Sequence, residues 1–250
     1  MTKRIFVLGI PVDCVNMQSA VDAVDGMTSG DTAQMVLAVN PEKIIKAQQH
    51  ADLRAALEGA GLLIPDGIGV VLAARLLGLG RMSQVPGSEL MPALCDLAMR
   101  KGYGVFLYGA SPEVNAKAAE TLVQRYPGIR IAGREHGFVP AESMQSLIEK
   151  INNSGAQLLF VALGSPHQEL WMNKYRGQLR VKVCQGVGGT FDVIAGRVQR
   201  APYLFRKMHL EWGYRLMTQP KRLLRQTALP KFVFQVLRAK LLGKSWSPVP

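Results

Sequence analysis

An α/β fold, with a mainly parallel sheet and helices on both of its faces, is predicted by three observations. Short apolar runs alternate with helix-like patterns along residues 1–196. Several of those runs are apolar throughout, as expected of strands covered on both sides. Three of them end in glycine turns, YGASPE, LGSPHQE and QGVGGTFD, the punctuation of strand-to-helix connections. The layering is Rossmann-like, and a basic helical C-terminal appendage follows it.

In chain order, RIFVLG (4–9) reads as the first strand rather than as a secretory leader. A helical stretch over 16–28 leads to the strand MVLAV (35–39). The helix over 41–60 starts with Pro41, whose fixed φ suits a first helical turn. A short apolar strand then ends at Asp66 in LLIPDGIGV, and helices follow over 67–78 and 88–101. GVFLYG (104–109), QLLFVALG (157–164) and VKVCQG (181–186) are further strands, with helices over 112–126, 141–153 and 168–178. No internal repeat or low-complexity segment interrupts the pattern. Composition turns basic near Arg197–Pro202, which divides the chain into an α/β catalytic domain (1–196) and an amphipathic appendage (197–250).

With 250 residues, 48% of them hydrophobic, the chain can bury a full core as one large domain plus an appendage. Its net charge of +12 is unevenly spread: from Arg197 onward there are 12 Lys and Arg against Glu211 alone. The first 196 residues are nearly neutral, with 18 basic and 17 acidic side chains. Such asymmetry points to a polyanionic partner: nucleic acid, anionic lipid or a diphosphate. No run of 18 apolar residues exists to span a bilayer. Cys14, Cys95 and Cys184 are far apart and odd in number. That suits a reducing compartment, with neither a disulfide framework nor a zinc site, so the cytoplasm is expected.

In open α/β sheets ligands bind outside the carboxyl ends of the strands, so the glycine turns should line one crevice. Any one glycine could simply permit a tight turn; three together favour the crevice. Asp66 is either a helix N-cap or a catalytic carboxylate, and the residues alone favour the cap. Asn40, in AVNPEK, could cap the helix at Pro41 or bind a sugar hydroxyl, and capping is again the plainer reading. In GSPHQE, His167 has no second histidine at metal-ligand spacing, while Gln168 and Glu169 sit at a helix start and could meet a ribose or a base. GVGGTFD offers successive backbone N–H groups for an anion nest. It lacks the G-x-G-x-x-G spacing and a following acid, and no G-x-x-x-x-G-K-[ST] occurs, which disfavours nicotinamide and P-loop chemistry. No Asp-x-Asp is present to hold a divalent cation, so glycine amides and arginines would have to neutralise a diphosphate.

In the appendage, Phe205, Met208, Trp212 and Leu216 recur at helical spacing, and Pro220 and Pro230 punctuate. Val233, Leu237 and Leu241 form an apolar line flanked by Lys231, Arg238, Lys240 and Lys244, the pattern of a helix lying at a membrane interface. A helical hairpin packed on the core is the alternative, and it suits the first tail helix best.

Taken in order, PDGIGV, GxxPHQE, GVGGTFDVIAG, RAP and LEWGYRL followed by P-x-R-x-x-R resemble the WecG/TagA/CpsF glycosyltransferases of bacterial cell-surface polysaccharide synthesis. The resemblance runs from Arg4 to about Arg225. Through AVNPEK the chain is also similar to the glucosyltransferases of xanthan-type exopolysaccharide assembly. The resemblance implies an inverting, metal-independent and cofactor-free transfer of a sugar, glucose or N-acetylmannosamine in type. The donor would be a UDP-sugar and the acceptor a polyprenyl-diphosphate-linked sugar, at the cytoplasmic face of the plasma membrane. Asp66 then occupies the position of the catalytic aspartate, a general base for the acceptor hydroxyl. Asn40 matches the sugar-site asparagine, with Gly67, Gly87 and Gly109 in the neighbouring turns. Gly137, Phe138, Gln168, Glu169 and the Gly186–Asp192 turn (Gly186, Gly188, Gly189 and Asp192) match the nucleotide-sugar pocket. Arg215, Arg222 and Arg225 match tail arginines that close over the site and meet the lipid diphosphate.

Four positions depart from the family pattern: Ala38 replaces a threonine, His167 a lysine, Glu89 an aspartate and Gln84 an arginine. They bear on sugar contacts rather than on Asp66. Two other classes compete with this reading. A nucleic-acid-binding protein with a basic arm explains the charge but leaves the glycine turns idle. A soluble nucleotide-sugar enzyme, an epimerase for example, would use the tail for homo-oligomers and need no lipid acceptor.

Overall fold

Six strands form a single sheet in the order β4-β3-β8-β7-β5-β6, with every pairing parallel. They are β3 (Gln34–Val39), β4 (Leu62–Pro65), β5 (Gly104–Gly109), β6 (Arg130–Glu135), β7 (Leu158–Ala162) and β8 (Val183–Gly186). In this computed structural model, residues 2–199, 202, 205, 213–214 and 227–243 are described.

Side chains alternate across the sheet and divide the core in two. Met35, Leu37, Val39, Leu63, Phe106, Tyr108, Leu159 and Val161 point to one face. There they meet α2 (Pro41–Ala47), α3 (Ala51–Glu58), α4 (Ile68–Leu76), α7 (Met144–Asn153) and α8 (His167–Tyr175). Val36, Leu62, Ile64, Val105, Leu107, Leu158 and Phe160 point the other way. They are covered by α1 (Met17–Met27), α5 (Gly87–Lys101), α6 (Pro112–Arg125) and α9 (Thr190–Ile194). β4, β5, β7 and β8 are buried at every position, which is why β4, β5 and β7 read as unbroken apolar runs.

The first apolar run departs from expectation. RIFV forms β1 (Arg4–Val7), which pairs antiparallel with β2 (Ile10–Asp13) in a separate two-stranded sheet. Leu8 and Gly9 between them both have positive φ, 52° and 81°, the geometry of a two-residue hairpin turn. Asp13 fastens this hairpin to the sheet: its carboxylate accepts two hydrogen bonds from Arg4, at 2.8 and 2.9 Å, and one from the Leu63 N–H at 2.8 Å. The edge strand β6, RIAGRE, was not anticipated, because it is polar and partly exposed along its whole length. The expected helix over 41–60 is two helices, parted at residues 48–50.

Helix α10 (Ala228–Leu241) has two apolar faces. Ala228, Phe232, Val236 and Ala239 join the first half of the core, where α10 packs against α2. The line read from the sequence, Val233, Leu237 and Leu241, faces outward with Phe234 and Leu242 beside it. Pro230 lies in the first turn of α10, where its missing N–H is not needed. No described helix is long and apolar enough to cross a membrane. All three cysteines are free thiols, and burial pushes Cys95 and Cys184 up to about 12.

Candidate active site

Parallel strands end together, so every turn singled out in the sequence lies at the carboxyl edge of the sheet. On adjacent strands, Val39 pairs with Pro65, which brings Asn40 and Asp66 side by side. The Asp66 N–H continues the ladder by donating to the Val39 carbonyl at 2.8 Å.

Asn40 caps α2: its Oδ1 accepts from the Lys43 N–H at 2.8 Å, with Pro41 at the first helical position. Among the described residues its side-chain NH₂ group donates to none. Asp66 is not the N-cap residue of α4, where the plainer sequence reading put it, but stands one position before it. The cap position belongs to Gly67, at φ +123°. A half-buried carboxylate at a strand end beside Asn40 is a candidate for chemistry. The returning chain supports it, since the Val85 N–H donates to the Pro65 carbonyl at 2.9 Å and the Gly87 N–H reaches Asp66 Oδ1 at 3.4 Å. Gly87 packs against Ala38 and Ile64, where an added Cβ would make ordinary contacts at 3.6 and 3.9 Å.

The Gly186–Gly189 turn is built differently from the expected row of free amides. The Val187 N–H donates to the Val161 carbonyl at 2.9 Å, and the Thr190 N–H to the Val187 carbonyl at 3.1 Å. Gly188 N–H is taken by Gln168 Oε1 at 2.9 Å. The α9 helix that follows is only five residues long. The nest is therefore largely satisfied from within, and the turn acts as a shaped wall. Gly186 allows the close approach of α8, since a Cβ there would sit 2.7 Å from Gln168 Nε2 and 3.1 Å from Met172. Asp192 contributes its backbone carbonyl to the N–H groups of Arg197 and Val198, at 2.9 and 3.1 Å.

Gln168 and Glu169 lie beneath this turn and are buried. Glu169 pairs with Lys43, Nζ to Oε1 at 2.6 Å, with both side chains out of water. Lys43, Asn115 and Gln185 are buried polar residues of the site region that sequence reasoning missed. A lysine in N-P-E-K on an amphipathic helix reads as solvated, and nothing local signals a partner 126 residues away.

Beyond β7, Gly164 at φ +75° and a cis Ser165–Pro166 bond lead into α8. Gly109 and Ala110, both at positive φ, turn the chain off β5, and the Ala110 carbonyl accepts from the Gly137 N–H at 2.8 Å. Asn115 reaches up from α6 and donates to the Leu107, Gly109 and Glu135 carbonyls at 3.3, 3.0 and 3.0 Å, tying the ends of β5 and β6. Phe138 stands 71% exposed at this rim, tilted against His136 with ring centroids 6.3 Å apart. A large exposed ring at a strand-end rim is suited to meeting a flat ligand group. Between α5 and α9 runs a cleft of about 420 Å³, lined by Ser88, Pro92, Arg125, Thr190, Ile194 and Gln199 among others. Arg215, Arg222 and Arg225 lie outside the described residues.

Residues 5–245 match the profile of the glycosyl transferase WecG/TagA/CpsF family. The chain is 41% identical over 203 residues to an N-acetylglucosaminyldiphosphoundecaprenol N-acetyl-beta-D-mannosaminyltransferase of Bacillus spizizenii, covering 81% of this chain and 78% of that protein. Proteins of the same description from Bacillus subtilis and Staphylococcus aureus are 35% and 33% identical. These alignments cover 86% and 96% of this chain, and 84% and 94% of the two proteins. A profile match across nearly the whole length, on a fold whose strand ends gather the motif residues, places the chain in the WecG/TagA/CpsF family of glycosyltransferases.

Proposed function

We propose that this enzyme transfers a hexose from a UDP-sugar to a polyprenyl-diphosphate-linked sugar, inverting the anomeric carbon without a metal ion. The observation that carries this reading is the half-buried Asp66 carboxylate, set beside Asn40 at the carboxyl ends of adjacent parallel strands. Asp66 takes the proton from the acceptor hydroxyl as that oxygen attacks the anomeric carbon from the face opposite UDP. The bond from the anomeric carbon to the β-phosphate oxygen breaks, and UDP leaves with the electron pair. A single displacement inverts, so an α-linked donor gives the β linkage named for the relatives.

Asn40 holds the sugar, with Gly67, Gly87 and Gly109 letting the turns come close. Gly137, Phe138, Gln168 and the Gly186–Asp192 turn frame the nucleotide. Arg215, Arg222 and Arg225 meet the charge on the diphosphates. The relatives' names favour N-acetylmannosamine as the sugar moved and N-acetylglucosamine on undecaprenyl diphosphate as its acceptor. The AVNPEK resemblance keeps glucose as the competing donor.

The test is UDP release from UDP-glucose, UDP-N-acetylglucosamine, UDP-N-acetylmannosamine and its uronate, with EDTA and a lipid-diphosphate-linked N-acetylglucosamine acceptor. Acceptor-dependent release from one donor in EDTA supports the reading and names the sugar. Release that stops with EDTA removes metal independence. No release from any donor, together with no UDP binding by calorimetry, removes the donor class.

The enzyme is further proposed to work as a peripheral protein on the cytoplasmic membrane face. Support comes from the outward apolar line of α10, with Lys231, Arg238 and Lys240 on the same helix. Each cation near an anionic leaflet contributes about 1 kcal/mol, and each buried large apolar side chain about 1.5–3 kcal/mol. Phe234→Ser with Leu237→Ser is expected to weaken co-sedimentation with phosphatidylglycerol vesicles about tenfold or more, leaving UDP binding intact. Unchanged vesicle affinity in that variant removes α10 as the contact.

A further inference from the structure

Lys43 is buried to 5% exposure, yet it makes three links that converge on the turns around Asp66. Its main-chain N–H is the one that Asn40 Oδ1 caps, at 2.8 Å. Its ammonium donates to the Ala38 carbonyl at 2.6 Å, two residues before Asn40. The same ammonium meets Glu169 Oε1 at 2.6 Å. That oxygen also accepts from Gln168 Nε2 at 3.1 Å, and Gln168 Oε1 in turn accepts the Gly188 N–H at 2.9 Å. Glu169 Oε2 is buried with no hydrogen-bond partner among the described residues, so the carboxylate is held through one oxygen.

The chemistry of this chain is directional. An amide can present either its oxygen or its NH₂ group to a neighbour, whereas an ionised carboxylate only accepts. Glu169 therefore forces the NH₂ end of Gln168 toward itself and the oxygen toward Gly188. A buried carboxylate requires an opposite charge, and Lys43 supplies it.

We propose that Lys43 is a positioning residue of the donor site: through Glu169 it fixes the orientation of the Gln168 amide, and so the shape of the Gly186–Gly189 turn against which the donor diphosphate lies. This rests on the donor reading above. Lys43 touches no substrate; it acts through two other side chains and couples the Asn40 turn to the glycine turn.

The test compares wild type with the double variant Lys43→Met, Glu169→Met, in which both charges are replaced by apolar side chains of similar length. Such a swap removes the buried ions together and leaves neither stranded. The melting temperature is expected to stay near that of wild type. UDP affinity by calorimetry is expected to fall about tenfold or more, and Gly188 amide hydrogen exchange to quicken by a similar factor. Unchanged UDP affinity overturns the proposal, whether or not the exchange rate moves. If wild type itself binds no UDP, the donor reading fails, and the Gly188 exchange rate alone decides whether Lys43 orders the turn. Should the double variant not fold, Lys43→Gln carries the same two comparisons.

Discussion

Asp66→Asn is expected to fold, to bind UDP as wild type does, and to turn over about 10²–10⁴-fold more slowly. The substitution keeps an oxygen for the Gly87 N–H and leaves the ladder bond from the Asp66 N–H to Val39 untouched. It removes the negative charge and the capacity to accept a proton. A fall in kcat with donor affinity and melting temperature preserved is the signature of a general base. The decisive measurement is acceptor-dependent UDP release by purified variant and wild type side by side. Turnover within about tenfold of wild type would remove Asp66 from the chemistry and shift attention to another group at the strand ends.

Gly109→Ala carries the largest expected effect on stability. Gly109 sits at φ +118°, where a Cβ is strained whatever the space around it. That Cβ would also lie 2.5 Å from the Ala162 carbonyl carbon and 2.8 Å from the Ala162 nitrogen, both backbone atoms of the adjacent strand. Neither atom can rotate away, so β5 and β7 must part at the very end that carries the site. A loss of about 3–5 kcal/mol is expected, read as the shift of the urea unfolding midpoint at unchanged slope. Gly189→Ala offers the contrast: that glycine is exposed, its φ is −80°, and little change is expected. Equal midpoints for Gly109→Ala and wild type would mean that the turn relaxes in a way the packed ends of β5 and β7 do not suggest.

Gly109 also marks where the sequence was legible and where it was not. Its place in YGASPE identified a strand-ending turn correctly, and the crevice expectation followed from three such turns on what prove to be adjacent strands. The reason it must be glycine is a backbone-to-backbone contact with a residue 53 positions away, which no local pattern contains. Asp66 and Asn40 show the same division. Both were recognised as strand-end polar residues with two possible roles each. The pairing of Val39 with Pro65 then set them side by side, with Asn40 in the cap position of α2 and Asp66 one residue before that of α4.

Where hydrophobic periodicity was strong, local physics and tertiary structure agreed. The buried strands β5, β7 and β8 and the helices α1, α5 and α6 fall where apolar spacing put them. β6 escaped because an edge strand needs no apolar face on its open side, and β1 was misplaced because a two-residue Leu-Gly reversal sends it into a hairpin. The tail shows the limit from the other direction: its outward line was readable, while its inward line had meaning only once α2 was there to meet it.

What the sequence determined by itself is the α/β class, the strand ends that carry the motifs, the family, and the concentration of positive charge beyond Arg197. These depend on residue type and on spacing along the chain. The tertiary structure alone decided that Gln168 holds Gly188, that Glu169 is paired with Lys43, and that Asp66 stands beside Asn40. Each of these depends on which distant groups share a buried hydrogen bond, and such bonds are made between strands and helices whose order in space is not their order in the chain.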